Sequence, residues 1–184
     1  GNCSFNIKIQ KGSIECIIFY KTTDTMKLVL YTALSLIFTG FGIIDDEITR
    51  QKNFKVNSAF IAMNGYDPVS YFRAGPEKGS KFISHAYKGI NYWFITEANR
   101  TEFIGNPDKY EPAWGGWCGH AMALKGEKVE INPLCYKIIQ GRNVLFYKTV
   151  FANALSNWEK ELKKTPEIEL MKKGDFFWNS IMSK

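Results

Sequence analysis

The chain has 184 residues, of which 45% are hydrophobic and 15% aromatic, and its formal net charge is +6. This length fits one domain with appendages, and 14 Phe, 9 Tyr and 5 Trp suffice for a packed core, which excludes a disordered tail. Lys and Arg are scattered among acids and form no stripe, so the excess charge does not predict a nucleic-acid interface.

An apolar run without charges covers residues 28–44, directly after Met26-Lys27. A basic start followed by a short apolar stretch is typical of a secretory signal peptide, and the run is slightly short for a membrane-spanning helix. The sequence therefore predicts a signal peptide or N-terminal hydrophobic anchor at 26–44. The protein would then be exported, either periplasmic or secreted, and would contact a membrane only through 28–44 if that segment stays uncleaved.

The rest of the chain is divided around this segment. Residues 1–25 fit poorly in front of a signal peptide, so we interpret them as an upstream extension and Met26 as the natural initiator. Polar and charged residues predict a linker at 45–57, and a domain is predicted at 58–182. No internal repeat of about 20–50 residues is visible.

Apolar patterns and turn signals predict an α+β fold: a small antiparallel sheet of two hairpins, short helices packed on it, and a C-terminal helical segment. Thr96 is the predicted N-cap of a helix that ends before Pro107. The predicted elements are, in chain order, a strand at 59–63, a hairpin of 82–87 with 92–95, the helix after Thr96, a hairpin of 137–140 with 144–147, a helix at 152–164 and an amphipathic segment at 168–182.

Four segments carry a resemblance to a known family: Gly65-Tyr66-Asp67-Pro68-Val69, Gly89-Ile90-Asn91-Tyr92-Trp93-Phe94, Phe103-Ile104-Gly105-Asn106-Pro107-Asp108-Lys109-Tyr110 and Gly115-Gly116-Trp117-Cys118-Gly119-His120-Ala121. As an ordered set they resemble the YHS family, and in particular an exported subgroup with a second hairpin and a Trp-bearing helix. The resemblance covers residues 58–180. It implies a small binding module, associated in many members with the handling of heavy metals.

The cysteines that support this metal function in the family are absent here. Metal-associated members resemble Asp-Pro-Val-Cys at the first motif, where this chain has Ser70. They also tend to place cysteines after the second strand and in the next helix, where Ile95 and Asn99 stand. The family's set of thiolates therefore does not transfer to this chain.

One cluster of soft ligands remains, in the sequence Cys118-Gly119-His120-Ala121-Met122. In an extended segment alternate residues point to the same side, so Cys118, His120 and Met122 would converge. Thiolate, imidazole and thioether together favour copper(I) or another thiophilic metal ion. His85 is the only other histidine and would complete such a metal site.

The same residues have an interpretation without metal. In an oxidising compartment Cys118 pairs with Cys135, and the disulfide stabilises the fold by about 3 kcal/mol. His120 then caps a backbone group and Met122 fills the core. A zinc site is not favoured, because the chain has no CxxC pair.

Asp67 also has two interpretations. Before Pro68, its carboxylate can cap a turn of its own backbone, or it can line a cavity and contact a ligand. No thiol–base pair at productive spacing and no paired acidic motif predicts catalysis. The sequence therefore predicts an exported, non-enzymatic binding module for a soft transition metal such as copper. The alternative is a metal-free module that binds a ligand or a protein and has a Cys118–Cys135 disulfide.

Overall fold

The computed structural model describes residues 7–10, 13–16 and 46–184, which fall into two units. In the first unit, strand β1 (Ile7–Gln10) pairs antiparallel with strand β2 (Ser13–Cys16). The rest of the predicted extension and the whole predicted signal peptide or anchor at 26–44 lie outside the described residues. The helices of the described residues include none with the length and hydrophobicity of a membrane span.

The second unit has the predicted α+β architecture. The two hairpins, the helix capped by Thr96 and the C-terminal helix are confirmed, but the hairpins form separate two-stranded sheets. The elements are, in chain order, α1 at 46–53, β3 (Ser80–Tyr87), β4 (Ile90–Phe94), α2 (Glu97–Gly105), α3 (Pro107–Tyr110), α4 (Gly119–Lys125), β5 (Asn132–Ile139), β6 (Arg142–Phe146), α5 (Ala154–Glu161) and α6 (Glu167–Met182).

The segment predicted as a linker, 45–57, belongs to this unit, so that prediction is wrong. Residues 46–53 are helical, and Phe54 is buried in the core. Arg50 donates its Nε–H to the carbonyl of Lys88 (3.1 Å), and Gln51 donates Nε2–H to the carbonyl of Gly89 (2.9 Å). Arg50 and Gln51 therefore bind the turn of the first hairpin, whereas the polar side chains of a linker would be solvated.

The strand predicted at 59–63 is not formed either. Ile61 and Ala62 make only isolated β-bridges. Phe60 and Met63, on either side, have positive φ angles of 56° and 53°, which interrupt an extended backbone.

The two hairpins of the second unit have the same design. Lys88-Gly89 and Gln140-Gly141 form two-residue turns with positive φ at both positions, as tight hairpins require. Each register shifts at the same place, and a constant step of 52 residues relates the two hairpins. The corresponding pairs are Tyr87–Ile90 with Ile139–Arg142, Ala86–Asn91 with Ile138–Asn143, His85–Tyr92 with Lys137–Val144, Ser84–Trp93 with Tyr136–Leu145, and Ser80–Phe94 with Asn132–Phe146.

The correspondence continues upstream of each hairpin, with a step of 51 residues. Three consecutive left-handed residues, Met63–Gly65, have φ angles of 53°, 53° and 77°. Their counterparts at 114–116 have φ angles of 53°, 62° and 86°. An extended residue follows each turn, Tyr66 in one case and Trp117 in the other.

Asp67 and Cys118 come next and occupy the same backbone position. The N–H of Asp67 donates to the carbonyl of Glu77 (2.9 Å), and the N–H of Cys118 donates to the carbonyl of Val129 (3.0 Å). The unit therefore contains a tandem structural repeat, with a first repeat at 61–95 and a second repeat at 112–147. No repeat is visible in the sequence because few side chains coincide between copies that share a backbone, and the step of 51 to 52 residues lies just beyond the range of about 20–50 residues considered there.

Helices cover the hairpins on both repeats. Helix α2 packs on the first hairpin, and α4, α5 and α6 pack against one another and the second repeat. The largest fully buried side chains are mainly aromatic: Trp114, Trp158, Tyr92, Tyr110, Phe94, Phe103 and Phe146.

Candidate functional site

Asp67 lies at the centre of the first repeat and is fully buried. Its Oδ1 accepts the backbone N–H of Val69 (2.8 Å), and its Oδ2 accepts the backbone N–H of Ile95 (2.9 Å). Oδ2 also accepts Nδ2–H of Asn99 (2.7 Å). Both carboxylate oxygens therefore bind the chain itself, which agrees with the capping interpretation of Asp67.

Ser70, Ile95 and Asn99 stand where cysteines were expected in metal-associated modules, and all three contact Asp67. Ser70 donates Oγ–H to the carbonyl of Asp67 (2.7 Å) and accepts the N–H of Glu77 (3.0 Å). A network of hydrogen bonds from uncharged groups to one buried aspartate thus occupies the positions where the resemblance would have placed cysteines.

Cys118 lies at the corresponding position of the second repeat. Its Sγ accepts the backbone N–H of Tyr147 (3.3 Å), just as Asp67 accepts the N–H of Ile95 at the end of the first hairpin. Cys118 precedes helix α4, so the expectation of an extended segment from 118 to 122 is wrong. Residues two apart on a helix point about 200° apart, so His120 and Met122 do not converge as predicted.

The other predicted ligands also face different surroundings. Met122 is fully buried in the core. His120 is half-buried, and burial lowers the pKa of its imidazole, while Glu161 partly opposes that shift. His85 lies on β3, edge-on to Phe103 with 6.3 Å between ring centres. Among the residues that the structure describes, no three His, Cys, Asp or Glu side chains form a group suited to a metal ion.

Cys118 and Cys135 are both buried and both free thiols. Burial is the main cause of the raised pKa of the Cys135 thiol, and the proximity of Cys118 adds to it, which places the two thiols in one region. Cys135 lies 3.8 Å from Oδ1 of Asn153. The disulfide is not formed here, and its formation in an oxidising compartment stays a prediction.

A polar cleft of about 190 Å³ lies at the start of the second repeat, and we name it the Trp114 cleft. It combines charges of both signs with aromatic walls. Its lining residues are Arg50, Phe54, Asp108, Glu111, Pro112, Ala113, Trp114, Gly115, Arg142 and Trp178.

Glu111 and Arg50 form a nearly buried ion pair on one side of the Trp114 cleft, with 2.5 Å between Nη2 and Oε1. Tyr92 donates its hydroxyl to the same carboxylate oxygen. Burial raises the pKa of Glu111, although Arg50 and Tyr92 oppose this shift by stabilising the carboxylate. The pKa of Tyr92 is raised by burial and by the charge of Glu111.

Arg142 and Asp175 form a second ion pair near the cleft. Nη1 of Arg142 lies 2.9 and 3.0 Å from the two carboxylate oxygens, and Trp114 donates its Nε1–H to Oδ1 of Asp175 (2.9 Å). The Arg142 guanidinium also lies 5.5 Å from the centre of a Trp114 ring. Trp114 has a left-handed backbone (φ 53°), which is uncommon for a large residue and which its counterpart Met63 shares (φ 53°).

Comparison with known proteins gave no match: no known protein family, no curated protein and no solved structure proved similar to this chain. The site must therefore be interpreted from its own geometry.

Sequence reasoning did not find the Trp114 cleft. Arg50 lay in the predicted linker, and Glu111 and Arg142 are separated along the chain by the whole predicted Cys118 cluster. Only Gly115-Gly116 beside two Trp residues signalled an unusual backbone in this region.

Proposed function

We propose that this chain is an exported, non-enzymatic and metal-free binding module, related in fold to the YHS family, which takes its ligand in the Trp114 cleft. One observation carries the proposal: Arg50, Glu111 and Arg142 present charges of both signs around a cleft walled by Trp114 and Trp178. Ligand pockets combine apolar walls with a few polar groups that fix the orientation of the ligand.

The composition of the cleft favours a small zwitterion, such as an amino acid or a dipeptide. Glu111 and Asp108 suit an ammonium group, and the guanidinium of Arg142 suits a carboxylate, so the ligand would join the ion pairs that Glu111 makes with Arg50 and Arg142 makes with Asp175. The volume of about 190 Å³ is below the roughly 300–1,000 Å³ of pockets for drug-sized molecules. Perturbed titratable groups in a cleft also mark candidate sites, and burial raises the pKa of Glu111, which lines this cleft.

Soft-metal binding at Cys118 is the less supported function. Helix α4 directs His120 and Met122 away from a common point, and Ser70, Ile95 and Asn99 are engaged with Asp67. Elemental analysis of the purified protein, combined with a count of free thiols, checks this function separately from the cleft. Near-stoichiometric copper that is lost in C118S would favour the metal function over our proposal.

The cleft is tested by titrating the full chain with amino acids and dipeptides while recording tryptophan fluorescence, since Trp114 and Trp178 line it. We expect a saturable change, and an affinity at least tenfold weaker in E111Q and R142Q. The control is R73Q, because Arg73 is an exposed arginine whose partner, Glu102, lies outside the cleft lining. No change at millimolar ligand, or the same loss in R73Q, would rule out this ligand class.

A further inference from the structure

A tight turn joins β6 to α5 and presents two large apolar side chains to solvent. Val150 is 94% exposed and Phe151 is 99% exposed. Central positions of tight turns usually hold Gly, Asn, Asp, Pro or Ser, each for a conformational reason. Val and Phe have no such conformational advantage, so their presence at the two central positions of the turn indicates a role outside the fold.

The turn is held firmly by its own hydrogen bonds. Lys148 and Asn153 form an antiparallel bridge, and the N–H of Thr149 donates to the carbonyl of Ala152 (2.8 Å). The N–H of Ala152 in turn donates to Oγ1 of Thr149 (3.2 Å). Asn153 also caps α5, so the two apolar side chains stand on an ordered support.

The turn is flanked by a positive charge. Its base lies close to β5, where Sγ of Cys135 is 3.8 Å from Oδ1 of Asn153. Lys148 is exposed and carries the one charge of the segment 148–152. The chain as a whole has a formal net charge of +6.

We propose that Val150 and Phe151 insert into the surface of an anionic lipid bilayer, with Lys148 at the level of the headgroups. The strength of membrane binding grows with the apolar area that is buried and with the attraction of positive charges to anionic lipids. Two apolar side chains fall short of the roughly 800 Å² that each partner contributes to a standard protein interface, so a bilayer is the better-matched partner. This inference is independent of the ligand proposed for the cleft.

The test places a tryptophan at position 151, at the centre of the turn, and measures the quenching of its fluorescence by brominated lipid. F151W and the control F82W, whose Phe82 is 83% exposed on β3, are made in the full chain and mixed with vesicles of phosphatidylcholine alone or with 30% phosphatidylserine. We expect the added quenching over wild type in F151W to be at least twice that in F82W, and only in anionic vesicles. Because the measurement is local, binding through residues 28–44 does not imitate it.

A second measurement tests the energetic role of the turn. V150S/F151S should co-sediment with anionic vesicles at least tenfold more weakly than wild type, and K148Q should weaken binding less and reduce its salt dependence. If residues 28–44 hold wild type and V150S/F151S on the vesicles equally, co-sedimentation cannot separate them, and the quenching of F151W against F82W decides the proposal. Equal quenching in F151W and F82W, or no quenching in either, would overturn the proposal. Burial of Val150 and Phe151 by a protein partner and not by vesicles would overturn it as well.

Discussion

The first and second repeats have the same backbone but different polar centres. In the first repeat the central side chain is Asp67, whose carboxylate accepts three N–H groups. In the second repeat it is Cys118, whose thiol accepts one, from Tyr147. The hairpin turns and the left-handed residues are common to both repeats, so they define the backbone. The same backbone accepts different central side chains, Asp67 in one repeat and Cys118 in the other.

The repeats differ again at a pair of equivalent asparagines. Asn91 in the first repeat donates Nδ2–H to the carbonyl of Ala59 (2.8 Å). Asn143 in the second repeat is fully buried, and neither polar atom of its side chain has a partner among the described residues. Asn91 thus has a hydrogen-bond partner, whereas Asn143, in the repeat that borders the Trp114 cleft, has none among the described residues.

The largest expected effect breaks the polar centre of the first repeat. In D67N one carboxylate oxygen becomes an –NH2 group. This donor must then face at least one of the N–H groups that now donate to the carboxylate. We expect the free energy of unfolding to fall by about 3–5 kcal/mol, because buried donors lose their acceptor. The measurement is urea denaturation followed by tryptophan fluorescence.

The matched variant in the second repeat is C118A, which removes one weak acceptor and a small side chain. We expect a loss of about 1–2 kcal/mol. If C118A destabilised the protein as much as D67N, the two centres would be equivalent in energy, and the contrast between the repeats would not hold.

The next effect compares Gly65 with its counterpart Gly116. Both have positive φ, 77° and 86°, so alanine is strained at either position. A Cβ at Gly65 would lie 2.7 Å from Cε3 of Trp93, whereas a Cβ at Gly116 would lie 3.4 Å from Cγ of Pro112. We therefore expect G65A to cost about 2–4 kcal/mol and G116A about 1 kcal/mol. Thermal unfolding of the two variants checks the order, and the reverse order would contradict it.

Local signals in the sequence predicted what depends on neighbouring residues. Gly89 marked the first hairpin turn, Thr96 marked the start of α2, and the aromatic content predicted the core. The repeat escaped detection because side chains coincide at few of its positions, such as Asn91 with Asn143 and Phe94 with Phe146. A shared backbone with different side chains leaves little trace in one sequence.

The candidate site was less predictable than the fold, because its contacts join distant parts of the chain. Arg50 meets Glu111 only after α1 docks on the first hairpin. The gathering of Ile95 and Asn99 around Asp67 likewise depends on hairpin packing and not on spacing. The helical backbone after Cys118 could not be distinguished from an extended one, because Cys118 to Met122 is too short a stretch for periodicity to decide.

A smaller effect of opposite sign concerns the asparagine pair. Replacing Asn143 with leucine, of similar volume, removes a buried amide without a partner among the described residues, so N143L should stabilise the protein by about 1 kcal/mol. N91L removes the hydrogen bond to Ala59 and should destabilise it by a similar amount. Urea denaturation of both variants gives the sign. A destabilising N143L would show that the amide has a partner, such as an ordered water, and that the two asparagines are equally satisfied.

The smallest expected effect is the pH dependence contributed by His120, whose counterpart in the first repeat is the buried Val69. Burial lowers the pKa of His120 below its ordinary value of 6.5, so the unfolded chain binds a proton at a higher pH than the folded protein does. Stability from this group is therefore present above pH 6.5 and is lost as the pH falls through 6.5 towards the folded pKa. Only the second repeat should show this loss, because Val69 does not titrate.

We expect Tm to fall less between pH 7.5 and 5.5 in H120N than in wild type. The difference should be below about 2 °C, since the His120 side chain is half-exposed. Differential scanning calorimetry across that range measures it, and an unchanged slope in H120N would mean that the acid sensitivity has its source outside the second repeat's helix α4.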